Sequence, residues 1–282
     1  MNRKSIAYLG PNGSYSEIAA EKAATIFGID KFKSEYCFSI RKVIEKVSNN
    51  PDFIGVIPFE NSIEGIVREA VDTLIFSENN LNIFYEFTIP INNCLISKSN
   101  DIKTITKVIS YVQPIAQCQH FLHKELPMDL EIINAPSTSE AVKMASELDE
   151  TYAAIGNTKS AELYRLNILR EGINDNSDNT TRFICISHQQ AKQTGNDKTS
   201  LSFTAINKAG SLADVLMVFK NNEINLSYID SRPSKTTLGS YSFLIDFEGH
   251  VDDSKTQNLI NEITPLVSNY KILGSYPVWN SW

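Results

Sequence analysis

Residues 81–97 read LNIFYEFTIPINNCLIS, two extended strands in succession with no helix between them. They break the rhythm of everything around them. From Ser5 to about His188, short apolar runs alternate with helical segments. The strand-like runs are IAYLG (6–10), FIGVIP (53–58), KVISY (107–111), LEIINA (130–135) and YAAIG (152–156). Helical stretches lie between them, such as the one carrying Ile18, Ala19, Glu21, Lys22, Ala23 and Ile26 after a Ser-rich start. Such alternation predicts a parallel sheet with helices on both faces. A strand pair in the middle of it suits a crossover from one α/β lobe to a second, with residues 160–188 as the natural return. Two lobes joined by crossing strands leave a cleft, a common place for a small-molecule site.

The polar segment HQQAKQTGNDK (188–198) reads as a linker. Beyond it, Leu201, Phe203 and Ala205 alternate as in a strand. Leu212, Val215, Leu216 and Phe219 fall on one helix face. Ile224, Leu226 and Tyr228 alternate, as do Tyr241, Phe243, Ile245 and Phe247. Leu259, Ile260, Ile263 and Leu266 give a second helix face, and ILGSYPV closes with a strand. The order β-α-β-β-α-β predicts a ferredoxin-like sheet of four strands under two helices.

A chain of 282 residues is long enough for about two domains, and 42% hydrophobic residues can build a core. The formal charge of −7 argues against a nucleic-acid binder, which needs a basic face. A locally positive cleft for an anion stays compatible with it. Cys37, Cys94, Cys118 and Cys185 form no CxxC pair and no zinc spacing, so reduced, buried thiols are expected. The start MNRKSIAYLG lacks the apolar stretch of a signal peptide, and no run approaches the ~20 apolar residues of a membrane helix. A cytoplasmic protein without membrane or nucleic-acid partners is the expectation.

Four segments carry polar groups at the ends of strands, where open α/β sheets bind ligands. GPNGSYSE (10–17) opens a helix; Gly10 and Gly13 permit a tight turn, and Ser14 or Ser16 could cap the helix or meet a ligand. In IPFENSIEG (57–65), Pro58 is expected to stop a strand and to leave Glu60, Asn61 and Ser62 at the mouth of the sheet. In SYVQPIAQC (110–118), Ser110, Gln113 and Gln117 could face the cleft, with Pro114 in the first helical turn. That helix is expected to run on through His120 and His123, whose i, i+3 spacing finds no third metal ligand. NTTRF (179–183) places Arg182 beside the apolar run FICIS, and its anionic partner is either a ligand or another residue.

Together and in this order, the segments GPNGSYS, PFENSIEG, SYVQPIAQC and NTTRF resemble the prephenate dehydratase family. YAAIGNTKSAELYRLNIL (152–169) is similar to the stretch that precedes its NxTRF motif. The C-terminal part resembles the ACT regulatory domain, with Gly210-Ser211-Leu212-Ala213 for its GALV and Asp230-Ser231-Arg232-Pro233 for its ESRP. The likeness covers nearly the whole chain. Two positions depart from it: Tyr111-Val112 replaces the usual His-Pro, and Asp230 replaces a glutamate. The resemblance implies an α/β, two-lobed, periplasmic-binding-protein-like catalytic domain over 4–188 and a ferredoxin-like βαββαβ ACT domain over 199–279. With no room for a chorismate mutase domain before Ser5, the stand-alone form is expected.

The activity implied is conversion of prephenate to phenylpyruvate, water and carbon dioxide, with no cofactor and no metal. Aromatisation drives the step, so the protein has to hold two carboxylates and help a hydroxide leave. By the resemblance, Thr181 donates to the departing hydroxyl, and Asn61, Ser110 and Gln117 position the substrate. Glu60 is the reserve acid. Arg182, Ser62, Ser14, Gly13 and Thr180 contact the substrate. L-phenylalanine is the implied effector, met by Gly210, Ser211, Leu212, Asn225, Leu226, Asp230, Ser231 and Arg232. ACT domains often pair, so a homodimer or homotetramer is expected. Arogenate as substrate, a solute-binding protein and an inactive amino-acid sensor are the competing readings, and a turnover assay separates them.

Overall fold

A computed structural model describes residues 5–29, 34–235 and 239–279. Three sheets organise them. The first begins with β1 (Ser5–Leu9), β2 (Ser34–Cys37), β3 (Phe53–Asn61), the short β4 (Gly65–Ile66) and β5 (Asn82–Pro90). The chain then passes through residues 91–93 into a second sheet. This one holds β6 (Cys94–Ser97), β7 (Lys107–Ser110), β8 (Glu131–Asn134), β9 (Tyr152–Gly156) and β10 (Asn167–Arg170). Through residues 171–179 it returns as β11 (Thr180–Ser187), which inserts between β3 and β5. The two lobes expected around residues 81–97 are these two sheets.

The sheets are mixed, where a parallel one was expected. β1 pairs parallel with β2 and β3, and β7 with β8 and β9. The crossing strands differ: β11 runs antiparallel to β3 and β5, and β6 antiparallel to β9 and β10. The reason is direction of travel. One strand of each crossing pair leaves its lobe and its neighbour enters it, so side by side they must oppose.

Helices cover both sheets. In the first lobe α1 (Tyr15–Ile26) starts at Ser14, whose side chain accepts the Glu17 N–H, and buries Ala19, Ala20, Ala23 and Ala24. α2 (Ile40–Asn49) buries Ile40, Val43, Ile44 and Val47, an i, i+3, i+4, i+7 stripe. Each such aliphatic side chain contributes about 1.5–3 kcal/mol when fully buried. α3 (Arg68–Phe76) follows β4. The second lobe carries α4 (Val112–Ala116), α5 (Gln119–Glu125), α6 (Thr138–Glu147) and α7 (Thr158–Tyr164). The single helix expected through His123 is thus two, broken at Gln117 and Cys118. All four cysteines are buried, and burial pushes the Cys94 thiol up to about 11 and the Cys118 thiol to about 12.

The C-terminal domain has the expected order: β12 (Asp197–Ala205), α8 (Ser211–Asn221), β13 (Leu226–Pro233), β14 (Tyr241–Glu248), α9 (Ser254–Ile263) and β15 (Val267–Pro277). Its sheet runs β13-β14-β12-β15. One face packs Leu201, Phe203, Ile245 and Phe247 against α8 and α9. The other face lies on the first lobe, where Leu244, Leu273 and Tyr276 share a core with Phe59, Ile83, Ile184 and Ile186. The approach is closest at Gly274. A Cβ there would sit 2.0 Å from the Ile83 carbonyl oxygen, so only glycine fits. Among the described residues, no helix is long and apolar enough to cross a membrane.

Candidate active site

The site is built on a strand pair. β3 and β11 run antiparallel with Asn61 opposite Thr181 and Glu60 opposite Arg182. The register then slips: Phe183 faces Pro58, and Phe59 has no partner. This is a β-bulge, which bends a strand and re-aims its side chains. Pro58 was expected to end the strand. Instead β3 continues to Asn61, and the bulge accommodates the proline, which cannot donate to the ladder.

The bulge decides which residues fall on which side of the strand pair. On the far side of the pair, Phe59 and Glu60 both turn towards Arg182: the guanidinium carbon lies 5.0 Å from the Phe59 ring, and the Glu60 carboxylate 3.5 Å from Arg182 Nη1. On the near side, Asn61 Nδ2 donates to Thr181 Oγ1 at 3.0 Å. Without the extra residue, strand alternation would have swapped Glu60 and Asn61.

From Asn61 the polar chain crosses between lobes. Asn61 Nδ2 also donates to Asn179 Oδ1 (2.8 Å) and to the Thr180 carbonyl (3.3 Å). Asn179 Nδ2 donates to Gln117 Oε1 (3.0 Å), and Gln117 Nε2 to Glu64 Oε1 (3.2 Å). Asn61 Oδ1 accepts from the N–H groups of Ile63 and Glu64, both at 3.0 Å. Asn61 is therefore held from both ends of its amide. Asn179, only 1% exposed, is the keystone that sequence reasoning passed over, although it opens the NTTRF motif. The break between α4 and α5 leaves Gln117 at a helix end, free to turn towards it.

The remaining motif residues frame this chain. Ser62 accepts the Thr180 N–H at 3.0 Å and donates to the Asp178 carbonyl at 3.3 Å, tying the two loops together. Gly13 and Ser14 border the cleft where the lobes meet. Asn157 Nδ2 of the second lobe donates to the Gly13 carbonyl at 2.9 Å, Ser139 Oγ bonds the Asn12 carbonyl, and Lys159 pairs with Glu21 at 2.5 Å. A Cβ on Gly13 would come 2.8 Å from Ser139 Oγ, and the residue's φ of 79° also demands glycine. Ser110 is fully buried and its hydroxyl donates to the Ile155 carbonyl at 3.1 Å. It clasps β7 to β9 where a substrate donor was expected.

Arg182 was expected to meet a carboxylate, of a ligand or of another residue, with substrate contact implied by the resemblance. The structure gives it protein partners: Glu86 at 2.7 Å, Asp246 at 2.8 Å and the Tyr276 hydroxyl at 2.9 Å. Burial alone would lower its pKa, but the anionic neighbours outweigh this and raise it, so the guanidinium stays charged. Arg182 follows Thr181 on a strand, so the two side chains point to opposite faces. Glu60, the reserve acid, is turned to that same far face by the bulge.

The effector residues are split as well. Gly210 starts α8 with φ 86°, and Ser211 and Leu212 line a hollow of about 150 Å³ with Ile206, Tyr241 and Phe243. The buried Ser211 hydroxyl has no hydrogen-bond partner there. Asn225 and Leu226 lie at the other end of α8, about 16 Å away at 1.5 Å per residue. Asn225 donates to Glu248 at 2.8 Å. Asp230 and Arg232 pair at 2.7 Å and face the first lobe, with Arg232 Nε 3.9 Å from Asp72, while Ser231 is exposed. One chain therefore does not gather this set at a single point.

Comparison with known proteins agrees with the geometry. A prephenate dehydratase family model matches residues 6–191, and an ACT domain model matches residues 199–264. A prephenate dehydratase of Methanocaldococcus jannaschii is 39% identical over 98% of this chain and 99% of its own length. The structure of an Arthrobacter aurescens prephenate dehydratase in complex with L-Phe superposes with a TM-score of 0.86 at 29% identity, covering 97% of this chain and 90% of that one. The Staphylococcus aureus prephenate dehydratase gives 0.81 at 28% identity, covering 96% and 99%. With its motifs gathered where two crossed lobes meet, and with both models spanning most of its length, the chain belongs to the prephenate dehydratase family and carries an ACT domain behind the catalytic lobes.

Proposed function

We propose that this protein converts prephenate to phenylpyruvate, and that the Asn61–Thr181 hydrogen bond is the observation that carries the reading. Thr181 Oγ1 accepts the Asn61 N–H at 3.0 Å, so its own proton is left for an acceptor in the cleft. The acceptor is the ring hydroxyl of the substrate. As the bond to the ring carboxylate breaks, its electrons enter the ring, carbon dioxide departs, and the C–O bond on the opposite carbon breaks. The leaving hydroxide takes up a proton to become water. A threonine hydroxyl is a poor acid, so Thr181 acts by hydrogen bonding or as a relay to that oxygen. Its value lies in fixed placement, because donors already aimed at developing charge need not reorganise. Asn61, locked at both ends of its amide, fixes it. Gln117 and Asn179 set the other wall.

Substrate contact falls to the loops that border the cleft, with Gly13, Ser14, Ser62 and Thr180 standing on them. With Arg182 engaged inside the protein, N–H and O–H donors have to meet the carboxylates. Ultraviolet detection of phenylpyruvate after incubation with prephenate tests the reading, and the same assay with arogenate tests the aminated substrate.

The C-terminal domain is assigned to sensing L-phenylalanine. The unpartnered Ser211 hydroxyl beside the apolar walls of Leu212, Tyr241 and Phe243 supports this, as does the L-Phe named with the Arthrobacter relative. Because Gly210 and Asn225 stand a helix length apart, a second copy pairing with this domain would be needed to bring both halves to one ligand. We therefore assign a homo-oligomer in the cytoplasm. Calorimetry with L-phenylalanine and light scattering test these two points.

A further inference from the structure

Asn61 and Thr181 lie on the side of the strand pair that reaches the second lobe through Asn179 and Gln117, and their chain neighbours Glu60 and Arg182 face the C-terminal domain. The same two paired strands thus carry catalytic groups on one side and a docking site on the other. The docking site is a buried ionic cluster. Asp246, fully buried on β14, forms an ion pair with Arg182 at 2.8 Å and accepts a hydrogen bond from Ser200 Oγ of β12 at 2.5 Å. Tyr276 of β15 bonds Ser200 at 2.6 Å and Arg182 at 2.9 Å. Glu86 of β5 pairs with both Arg182 (2.7 Å) and Lys198 of β12 (2.9 Å). Two cations, Arg182 and Lys198, balance two nearly inaccessible carboxylates, Glu86 and Asp246. If the C-terminal domain withdrew, Arg182 would keep only Glu86 and Glu60.

Other polar contacts cross the same boundary. Lys235 pairs with Asp72 at 2.7 Å, and Lys271 reaches the Leu74 and Ser77 carbonyls at the end of α3 at 2.8 and 2.9 Å. These fasten the domain to α3, which is not part of the paired strands that carry Asn61 and Thr181. Arg182 differs because it adjoins Thr181 on a strand that cannot slide without moving both.

We propose that Arg182 is a positioning residue through which docking of the C-terminal domain sets Thr181 and Asn61, so that an effector-driven change in docking is read in the cleft as a change in turnover. The inference rests on the reading of this protein as a phenylalanine-regulated dehydratase. A shift of about 1 Å at Arg182 passes to Thr181 through one peptide unit, and displacement of that size can cost about 10²-fold in rate. That falls within the roughly 5–150-fold range of typical allosteric couplings.

The test uses the full chain, with kcat and KM for prephenate measured with and without saturating L-phenylalanine, and L-phenylalanine binding followed by calorimetry. Asp246→Asn keeps the shape and places an amide where the guanidinium needs an acceptor. It is expected to bind L-phenylalanine, to hold KM within about twofold, and to shrink the L-phenylalanine response of kcat/KM below about twofold. The double variant Arg182→Met/Asp246→Leu leaves no fully buried charge unpaired, because Lys198 still neutralises Glu86 and Glu60 is partly exposed to solvent. It answers the same question should Asp246→Asn not fold, and it is expected to lose the response likewise. A folded variant that binds L-phenylalanine and responds as strongly as the wild type overturns the proposal. A wild-type chain that makes no phenylpyruvate, or ignores bound L-phenylalanine, overturns the regulated-dehydratase reading and this inference with it, and it does so in the wild-type arm.

Discussion

Thr181→Val removes one hydroxyl and keeps the branched shape. The side chain is 8% exposed, so the isostere occupies the same space. Asn61 loses one acceptor at 3.0 Å but keeps Asn179 Oδ1 at 2.8 Å and the Thr180 carbonyl at 3.3 Å. The stability cost is then that of one hydrogen bond, about 0.5–1.5 kcal/mol. The catalytic cost is larger. Deleting a donor aimed at a leaving oxygen lowers kcat by about 10²–10³-fold, or ~2.7–4 kcal/mol. The two effects separate in parallel measurements, urea unfolding for the first and phenylpyruvate absorbance for the second. Thr181→Ser restores the hydroxyl and is expected to recover most of the rate. A valine variant within about threefold of wild-type kcat refutes the role, as does a serine variant as slow as valine.

Arg182→Ala leaves Asp246 buried with Ser200 as its remaining partner, so urea unfolding is expected to show a loss of about 3–5 kcal/mol, relieved by adding Asp246→Leu. A loss of ~1 kcal/mol or less, the worth of an exposed pair, contradicts that picture. Glu60→Gln is expected to keep kcat within about threefold, because the bulge turns its carboxylate away from Thr181; a ~100-fold loss would return it to the role of acid. Gly274→Ala drives a methyl group into the Ile83 carbonyl, 2.0 Å from the ideal Cβ, and is expected to loosen the domain contact. Limited proteolysis in the 188–196 linker reads this out, and cleavage no faster than in the wild type contradicts it.

The fold was largely legible because it is written in periodicity. The strand pair in residues 81–97 announced the crossing, and helix faces such as Val215 and Phe219 pack as their spacing required. What stayed hidden depends on local irregularities that period-two alternation cannot register. The bulge at Phe59 exchanged the faces of Glu60 and Asn61 and so turned the reserve acid away from Thr181. A second register shift, between Leu226 and Tyr228, sends Leu226 to the helices and Tyr228 to the first lobe, although both alternate in the sequence. Two of the anionic partners of Arg182, Glu86 and Asp246, lie 96 and 64 residues away in the chain, outside every motif. Asn179 was within reach. It stands at the head of a recognised motif, but its role follows only from its contact with Gln117 across the lobes.

The central claim is that the cleft between the lobes turns prephenate into phenylpyruvate. Incubating the full chain with prephenate at neutral pH, and following phenylpyruvate by its ultraviolet absorbance in alkali, tests it most directly. Enzyme-dependent phenylpyruvate formation, with one carbon dioxide released per molecule and with the rate collapsing in Thr181→Val, is the predicted result. Phenylpyruvate appearing no faster than in the protein-free control would contradict the account.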